Sequence, residues 1–455
     1  MKPMVFELGG KQYQARRWAG ERLLPLSGYL AFDTETSVVD DLHRFIPELA
    51  MLSVSAGGDV VYLVHPDDVA AFLRAHQRLR FVAHNVAFDF WVLVHQLRTR
   101  GDAETERLWW AVAETNRLHD SMLLDMLVRL AEADAFPVAR DLGALASEYA
   151  GLAVDKDDPF RMRYTEVIGR DWNGVEEGFF AYAARDAAAE QVIYPLVRER
   201  ACRALAAYGD GGDIRSDARA EFGLLSESVQ VKKAIALAQV TRNGLSVDLE
   251  MAHATEAERR AELDRAVADV QALAPIYKTD ANGKFVSSGK SHTPAVNQTA
   301  LLAKLEEVNV ELEKEQGVPP VRKRTTKGIT RSVKHWEALA HRHPFLAAWI
   351  KATNLAKLLQ FFNPFQGDVE KELPEVHPHY NLLVRTGRTS CSGPNIQQIP
   401  RDSAFRQLFR ARPGYHLLAV DYSFIELRTL AAVTTQRYGW SDMADVIKAG
   451  VDPHA

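Results

Sequence analysis

Asp33 and Glu35 stand two residues apart in GYLAFDTE, a run apolar enough to form a strand. Period-2 geometry puts both carboxylates on one face. Acids so placed repel, and each raises the other's pKa unless a cation sits between them. The chemistry that uses such a pair is two-metal phosphoryl transfer, in which ions about 4 Å apart activate a water and stabilise the leaving oxygen. Hard oxygen donors suit Mg²⁺ or Mn²⁺. Alone, D-x-E also describes any strand end with two acids, but two further pieces accompany it. His84-Asn85-Val86-Ala87-Phe88-Asp89 follows a short apolar run and sets Asp89 at a helix start, where the helix dipole also favours an acid. Tyr182 and Asp186 are spaced i, i+4, one face of a helix. Asp120, in HDSMLLD, reads as structural.

A second group lies near the other end. Residues 386–400, TGRTSCSGPNIQQIP, carry Arg388, Asn395, Gln397 and Gln398 on a turn-rich segment. Guanidinium and amide donors of this kind read minor-groove acceptors shared by all base pairs. Arg401, Arg406 and Arg410 offer phosphate contacts. Residues 417–428, LLAVDYSFIELR, read as a buried strand, Leu417–Val420, that delivers Asp421 at its end, then a helix from Ser423. Asp421 there suits a metal ligand. Ser423 and Glu426 form S-x-x-E, a capping box.

These residues need a frame. Ala50–Ser55 and Val60–Val64 flank Gly57-Gly58 and read as a hairpin. A helix over Asp67–Arg78, a strand at Arg80–Ala83 and a helix over Val86–Thr99 capped by Asn85 follow. Residues 108–205 read mainly as helices, with breaks at Phe136-Pro137, Gly151 and Asn173-Gly174. That order predicts an α/β domain with a mixed sheet over residues 1–207. The leader before residue 27 shows no clear element. The polar stretch 208–220 reads as a linker. Residues 221–378 are mainly helical: 221–241, 250–274, 297–315 and an amphipathic helix from Pro344 through Phe362, with loops at 278–295 and after Gly317. Residues 379–455 read as an α+β stretch: a Gly/Ser/Pro-rich loop at 386–394, the strand Leu417–Val420 and the helix from Ser423.

Hydrophobic residues at 47% and charged residues at 25% exclude a disordered chain. No apolar run approaches the ~18–20 residues of a membrane span, and the first 18 residues lack a secretory apolar core. Two cysteines, Cys202 and Cys391, exclude a disulfide framework and fit the cytoplasm. A net charge of −5 alone argues against a nucleic-acid partner, but the sum hides a division. Residues 1–200 carry −9 and the rest +4. Residues 321–344 hold seven Lys/Arg against Glu337, and residues 380–412 hold six Arg against Asp402, the footprint of a phosphate-rich partner.

The set DxE, HNxxFD, YxxxD resembles the tyrosine-bearing branch of the DEDD superfamily of 3′–5′ exonucleases over roughly residues 25–205. The resemblance implies an RNase H-like fold. It implies that Asp33, Glu35, Asp89 and Asp186 hold two divalent metals, that Tyr182 orients the attacking water, and that His84 and Asn85 contact the substrate strand. TGRTSCSGPNIQQIP and DYSFIELR resemble TGRLSSxxPNLQNIP and DYSQIELR of the family A DNA polymerases, the DNA polymerase I family. Residues 242–248, RNGLSVD, resemble that family's thumb base, Leu355–Leu358 its thumb helix, and Gly450–His454 the G-x-D-x-H that enters the fingers. Residues 221–378 then correspond to the thumb and 379–455 to the start of the palm. Asp421 becomes a metal ligand, Tyr422 and Glu426 contact the nucleotide, and Arg388 touches the primer end in the minor groove. Lys357, Asn395, Gln397, Gln398, Arg401 and Arg428 become DNA contacts. Phe424, Gln398 and Gly393 depart from the family's glutamine, asparagine and acid. Residues 275–335 match the family poorly; they grip duplex phosphates or bind an accessory protein.

Polymerisation in this family also uses H-D-E in the palm and R-x3-K-x6-YG in the fingers, and residues 429–455 hold neither. No 5′-nuclease domain is expected before residue 33, as in phage-type members. The expectation is the N-terminal portion of a family A polymerase, with a complete exonuclease site and half a polymerase site. It excises 3′ nucleotides and binds primer–template DNA in the cytoplasm of a bacterium or a phage-infected host. The alternatives are one subunit of a two-chain polymerase whose second chain supplies the fingers, an RNase D-like exonuclease, or a non-catalytic DNA-binding protein.

Overall fold

The computed structural model describes residues 2–39, 45–154, 158–207, 222–287, 293–321, 328–360, 362, 375–399 and 403–452. Arg401, His454 and the 208–220 linker lie outside the described residues.

Alternating burial builds the sheet. In β1 (Met4–Leu8) and β2 (Lys11–Arg17), Phe6, Leu8, Tyr13 and Ala15 are buried while their neighbours are more exposed. This hairpin turns at Gly9-Gly10 and occupies the leader in which the sequence reading saw no element. β2 lies parallel to β5 (Val60–Val64), which pairs antiparallel with β4 (Leu49–Ser55), the expected hairpin. β3 (Tyr29–Thr36) runs antiparallel to β4 and parallel to β6 (Arg80–Ala83). β7 (Leu118–Asp120), within a stretch expected to be helical, pairs with β6 and completes the order β1-β2-β5-β4-β3-β6-β7.

The helices of this sheet are α1 (Val69–His76), α2 (Val86–Thr99), α3 (Ala103–Glu114), α4 (Ser121–Ala133), α5 (Leu142–Ala150) and α6 (Glu177–Ala207). Successive β3 residues serve opposite cores. Leu30 and Phe32 pack with Phe81, Phe90, Trp91 and Trp109. Tyr29 and Ala31 pack with Leu124, Val128 and the α6 residues Ala183, Ala184 and Ala187. Alanine is the strongest helix former, and its small side chain lets the α6 backbone lie close to the sheet. Asn85 stands at the N-cap of α2 in a left-handed conformation, φ 62°, and makes no side-chain cap bond, contrary to expectation. Asp120 does that work. Its carboxylate accepts from Val86 N at 2.9 Å and also caps α4 by accepting from Leu123 N at 3.0 Å.

Beyond the expected linker, α7 (Glu227–Asn243) packs Val231, Ala234 and Ile235 into the Trp91 core. Trp91 Nε1 donates to Ile235 O at 2.9 Å, and the Arg242 guanidinium lies 4.4 Å from the Trp91 ring centre. α7 ends at Gly244, φ 62°, where the chain enters β8 (Leu245–Ser246), paired with β9 (Glu375–Val376). A Cβ at Gly244 would fall 2.7 Å from His377 Cε1 and 3.0 Å from Val376 O. Gly244→Ala is therefore expected to destabilise by about 1–3 kcal/mol, read as a lower urea midpoint with unchanged slope; an unchanged midpoint refutes it.

α8 (Leu249–Leu273), capped by Asp248, packs against α10 (Pro344–Leu359), and α9 (Gln298–Gln316) lies between them in sequence. β10 (His379–Asn381) and β11 (Ser390–Ser392) form a hairpin, β11 inside the turn-rich segment from residue 386, followed by the single turn α11 (Ser403–Arg406). The chain divides into two compact units, 1–408 and 409–455. The second holds α12 (Ile425–Tyr438) and α13 (Asp442–Lys448). The expected buried strand Leu417–Val420 is not formed: these residues are irregular, and Leu418 is 88% exposed. A strand needs a neighbour to take its backbone hydrogen bonds, and among the described residues none pairs with it. Among the described residues no helix is long and apolar enough to cross a membrane.

Candidate active site

Parity along β3 decides the geometry. Asp33 and Glu35 share the face of Tyr29 and Ala31, the face that α6 covers, and α6 presents Asp186 to them. One carboxylate oxygen from each of the three lies within 4.8 Å of the others, with Glu35 and Asp186 buried and Asp33 half-buried. Oxygen donors this close favour a shared hard cation such as Mg²⁺ or Mn²⁺.

Asp89 does not join that group. Thr34 has the opposite parity and faces α2. There Asp89 Oδ1 accepts from Thr34 N at 2.9 Å and from Thr34 Oγ1 at 2.6 Å. Burial, then the charge of Asp33, holds the Asp89 carboxyl well above the ordinary range, against the pull of those hydrogen bonds. The four acids therefore divide across the two faces of one strand end, three together and Asp89 beside them.

Tyr182, one turn before Asp186, is 4% exposed. Burial first, then the charges of Asp186, Glu35 and Asp33, push its phenol pKa up, so it remains an O–H donor. Tyr164, which the sequence reading missed, feels the same carboxylates and donates its O–H to Phe179 O at 2.8 Å.

Glu190 was also missed. It lies one turn beyond Asp186 on α6, 1% exposed, and burial pushes its pKa up to about 8, with Asp120, Asp33 and Asp186 adding to the rise. Its Oε2 is 2.9 Å from Ser121 Oγ, which is 3.0 Å from His84 Nδ1, and His84 Nε2 is 2.8 Å from Arg140 O. A carbonyl only accepts, so His84 Nε2 carries the proton. Ser121 O–H donates to Glu190 Oε2, and His84 Nδ1 meets the same hydroxyl oxygen. His84 thus has both ring nitrogens engaged inside the protein, whereas Asn85 is exposed. The only sequence signal for Glu190 is a lone acid in an alanine run.

In residues 379–399, Arg388, Gln397 and Gln398 are exposed and Asn395 is half-buried. Gln397 Nε2 donates to Thr389 Oγ1 at 2.9 Å, bracing the segment after β11. Lys357 is exposed in the last turn of α10. In the second unit Asp421, Tyr422, Glu426 and Arg428 are all exposed. Ser423 does not cap α12; Phe424 occupies that position at φ 56° with no side-chain cap bond, and Arg428 Nε donates to Ser423 O at 2.9 Å.

Residues 287–455 match the model of DNA polymerase family A. The matched segment is similar to family A DNA polymerases and makes up less than half of the chain. A thermostable DNA polymerase I of Thermus filiformis is 28% identical over 367 residues, 77% of this chain and 38% of that protein. The DNA polymerase I of Chloroflexus aurantiacus is 34% identical over 125 residues, 26% of this chain and 13% of that protein. The chain thus spans well under half the length of these relatives. The POL domain of Pol1 from M. smegmatis, solved with DNA primer-template and dNTP, matches with a TM-score of 0.57 at 18% identity, over 93% of this chain and 62% of that one. That likeness is one of fold, a mixed α/β architecture. The matched segment contains Arg388, Asn395, Asp421 and Glu426; the carboxylate cluster lies outside it, in the α/β domain.

Proposed function

We propose that residues 1–207 are an RNase H-like 3′–5′ exonuclease of the two-metal kind, and that the protein is a proofreading family A DNA polymerase of DNA replication. The observation that carries this reading is the meeting of Asp33, Glu35 and Asp186 within 4.8 Å, in a chain whose residues 287–455 match the model of DNA polymerase family A. Bound divalent cations supply positive charge that lowers the pKa of a water and offsets charge on the leaving 3′ oxygen. Asp33, Glu35 and Asp186 hold one such ion. The electrostatic contact between Asp89 and Asp33 supports a second ion beside that pair. Tyr182 keeps its proton and orients the attacking water by donating or accepting at its hydroxyl. Asn85 meets the unpaired 3′ end, and His84 buttresses the site through Ser121. In the polymerase segment Asp421 is the metal ligand, Tyr422 and Glu426 meet the incoming nucleotide, and Lys357, Arg388, Asn395, Gln397, Gln398, Arg401 and Arg428 hold primer–template DNA.

The test is a 3′-labelled single DNA strand. Mononucleotide release with Mg²⁺ and none with EDTA supports the reading, and an intact strand in Mg²⁺ overturns it. An RNA strand shortened faster than DNA selects the RNase D-like alternative. Leu417, Leu418, Val420 and Tyr422 are more than half exposed, a strand sequence without sheet partners among the described residues. The 455 residues alone are therefore expected to self-associate; a monodisperse monomer in sedimentation velocity counts against this.

A further inference from the structure

At the opposite end of the sheet from the carboxylates lies a cleft of about 320 Å³, within the ~300–1,000 Å³ range of small-ligand pockets. Tyr29, which opens β3, lines it. At about 3.3 Å per residue, Tyr29 and Asp33 are about 13 Å apart along the strand. Its aromatic floor is Tyr29, with the His119 and Tyr194 rings each 5.0 Å away.

Its walls carry Arg80, Arg117 and Arg198; Arg117 is spent on Thr115 Oγ1, Gln77 O and Ala111 O, and among the described residues no carboxylate pairs with Arg80 or Arg198. Arg80 lies 6.0 Å from the Tyr29 ring centre, and Arg198 acts electrostatically on Tyr194. The acid in the cleft, Glu227, is already satisfied. Its carboxylate accepts from Asp120 N at 3.1 Å and from Tyr194 O–H at 3.0 Å, and His119 Nδ1 lies 3.3 Å away. The cleft is thus left with uncompensated positive charge. His119 Nε2 is buried and has no hydrogen-bond partner among the described residues. Two arginines without a carboxylate partner, Arg80 beside the Tyr29 ring and Arg198 near Tyr194, form a receptor for an anion that carries a flat base.

We propose that this cleft is a second ligand site, separate from the nuclease centre, and that it takes a nucleoside monophosphate. The phosphate lies between Arg80 and Arg198, the base lies against Tyr29, and His119 Nε2 hydrogen-bonds to the ligand.

Cys202 provides the readout. It lines the cleft and is exposed, whereas the other cysteine, Cys391, is buried. Iodoacetamide alkylation of Cys202 is followed in the full 455-residue chain with EDTA present, where a metal-free carboxylate cluster repels an anion. Saturating deoxyadenosine monophosphate is expected to slow alkylation about tenfold by blocking access. Arg80→Glu with Arg198→Glu, both at exposed positions, is expected to abolish that protection, and Asp33→Ala to leave it intact. If the double variant loses its circular-dichroism signal, Arg198→Gln gives the same reading with a smaller loss. No protection, protection that survives the arginine changes, or protection lost in Asp33→Ala overturns the proposal. Inorganic phosphate or deoxyadenosine protecting as well as the monophosphate overturns the assignment of ligand class.

Discussion

Replacing Asp33 with Ala is expected to lower Mg²⁺-dependent 3′ shortening about 10³-fold, because a metal's transition-state charge stabilisation is worth several kcal/mol and 1.4 kcal/mol is tenfold. Asp33 is the pivotal acid. It sits in the 4.8 Å group with Glu35 and Asp186, and it is also the neighbour whose charge raises the Asp89 pKa. Both proposed ions depend on it. The same charge is a liability without metal, since it adds to the repulsion that Asp89 already feels. In EDTA the Ala variant is therefore expected to unfold at the same or a higher urea concentration than wild type. Lost activity with undiminished stability separates a metal ligand from a residue that merely supports the fold. Equal activity of the two proteins removes the exonuclease reading altogether.

The parts of this site that were legible in the sequence are those that depend on one strand or one helix. The D-x-E spacing on β3 needed only period 2, and Tyr182 with Asp186 needed only the turn of α6. The parting of Asp89 from the other acids was not legible. It follows from Thr34 facing α2 while Asp33 faces α6, and that assignment exists only once the sheet has two covered sides. β7 escaped because three residues between two helices carry no period. The hairpin of β1 and β2 had its Gly-Gly turn and its alternation in plain view, diluted by Glu7, Lys11, Gln12 and Gln14. The run Leu417–Val420 shows the converse. Apolar β-formers describe a segment that pairs when a neighbour is present, and no property of the run itself supplies one.

The buried acid at position 190 gives the second large effect, on stability against pH. Glu190 is pushed up to about 8 in the folded protein, whereas an unfolded glutamate titrates near 4.3. Below about pH 4 both states keep the proton, and the site contributes nothing to pH dependence. Between those values the unfolded chain has released its proton while the folded one retains it. Stability therefore falls as pH rises, by at most about 1.4 kcal/mol per pH unit from this group. Above about pH 8 the folded protein must hold a carboxylate beside Asp33 and Asp186, and the loss levels off. Glutamine has the same shape, never ionises, and its amide oxygen can still accept from Ser121 Oγ. In EDTA, Glu190→Gln is expected to match wild type in urea unfolding at pH 5 and to be the more stable protein at pH 8. A glutamine variant whose advantage is the same at both pH values, or is absent at pH 8, shows that Glu190 is ionised in the folded state.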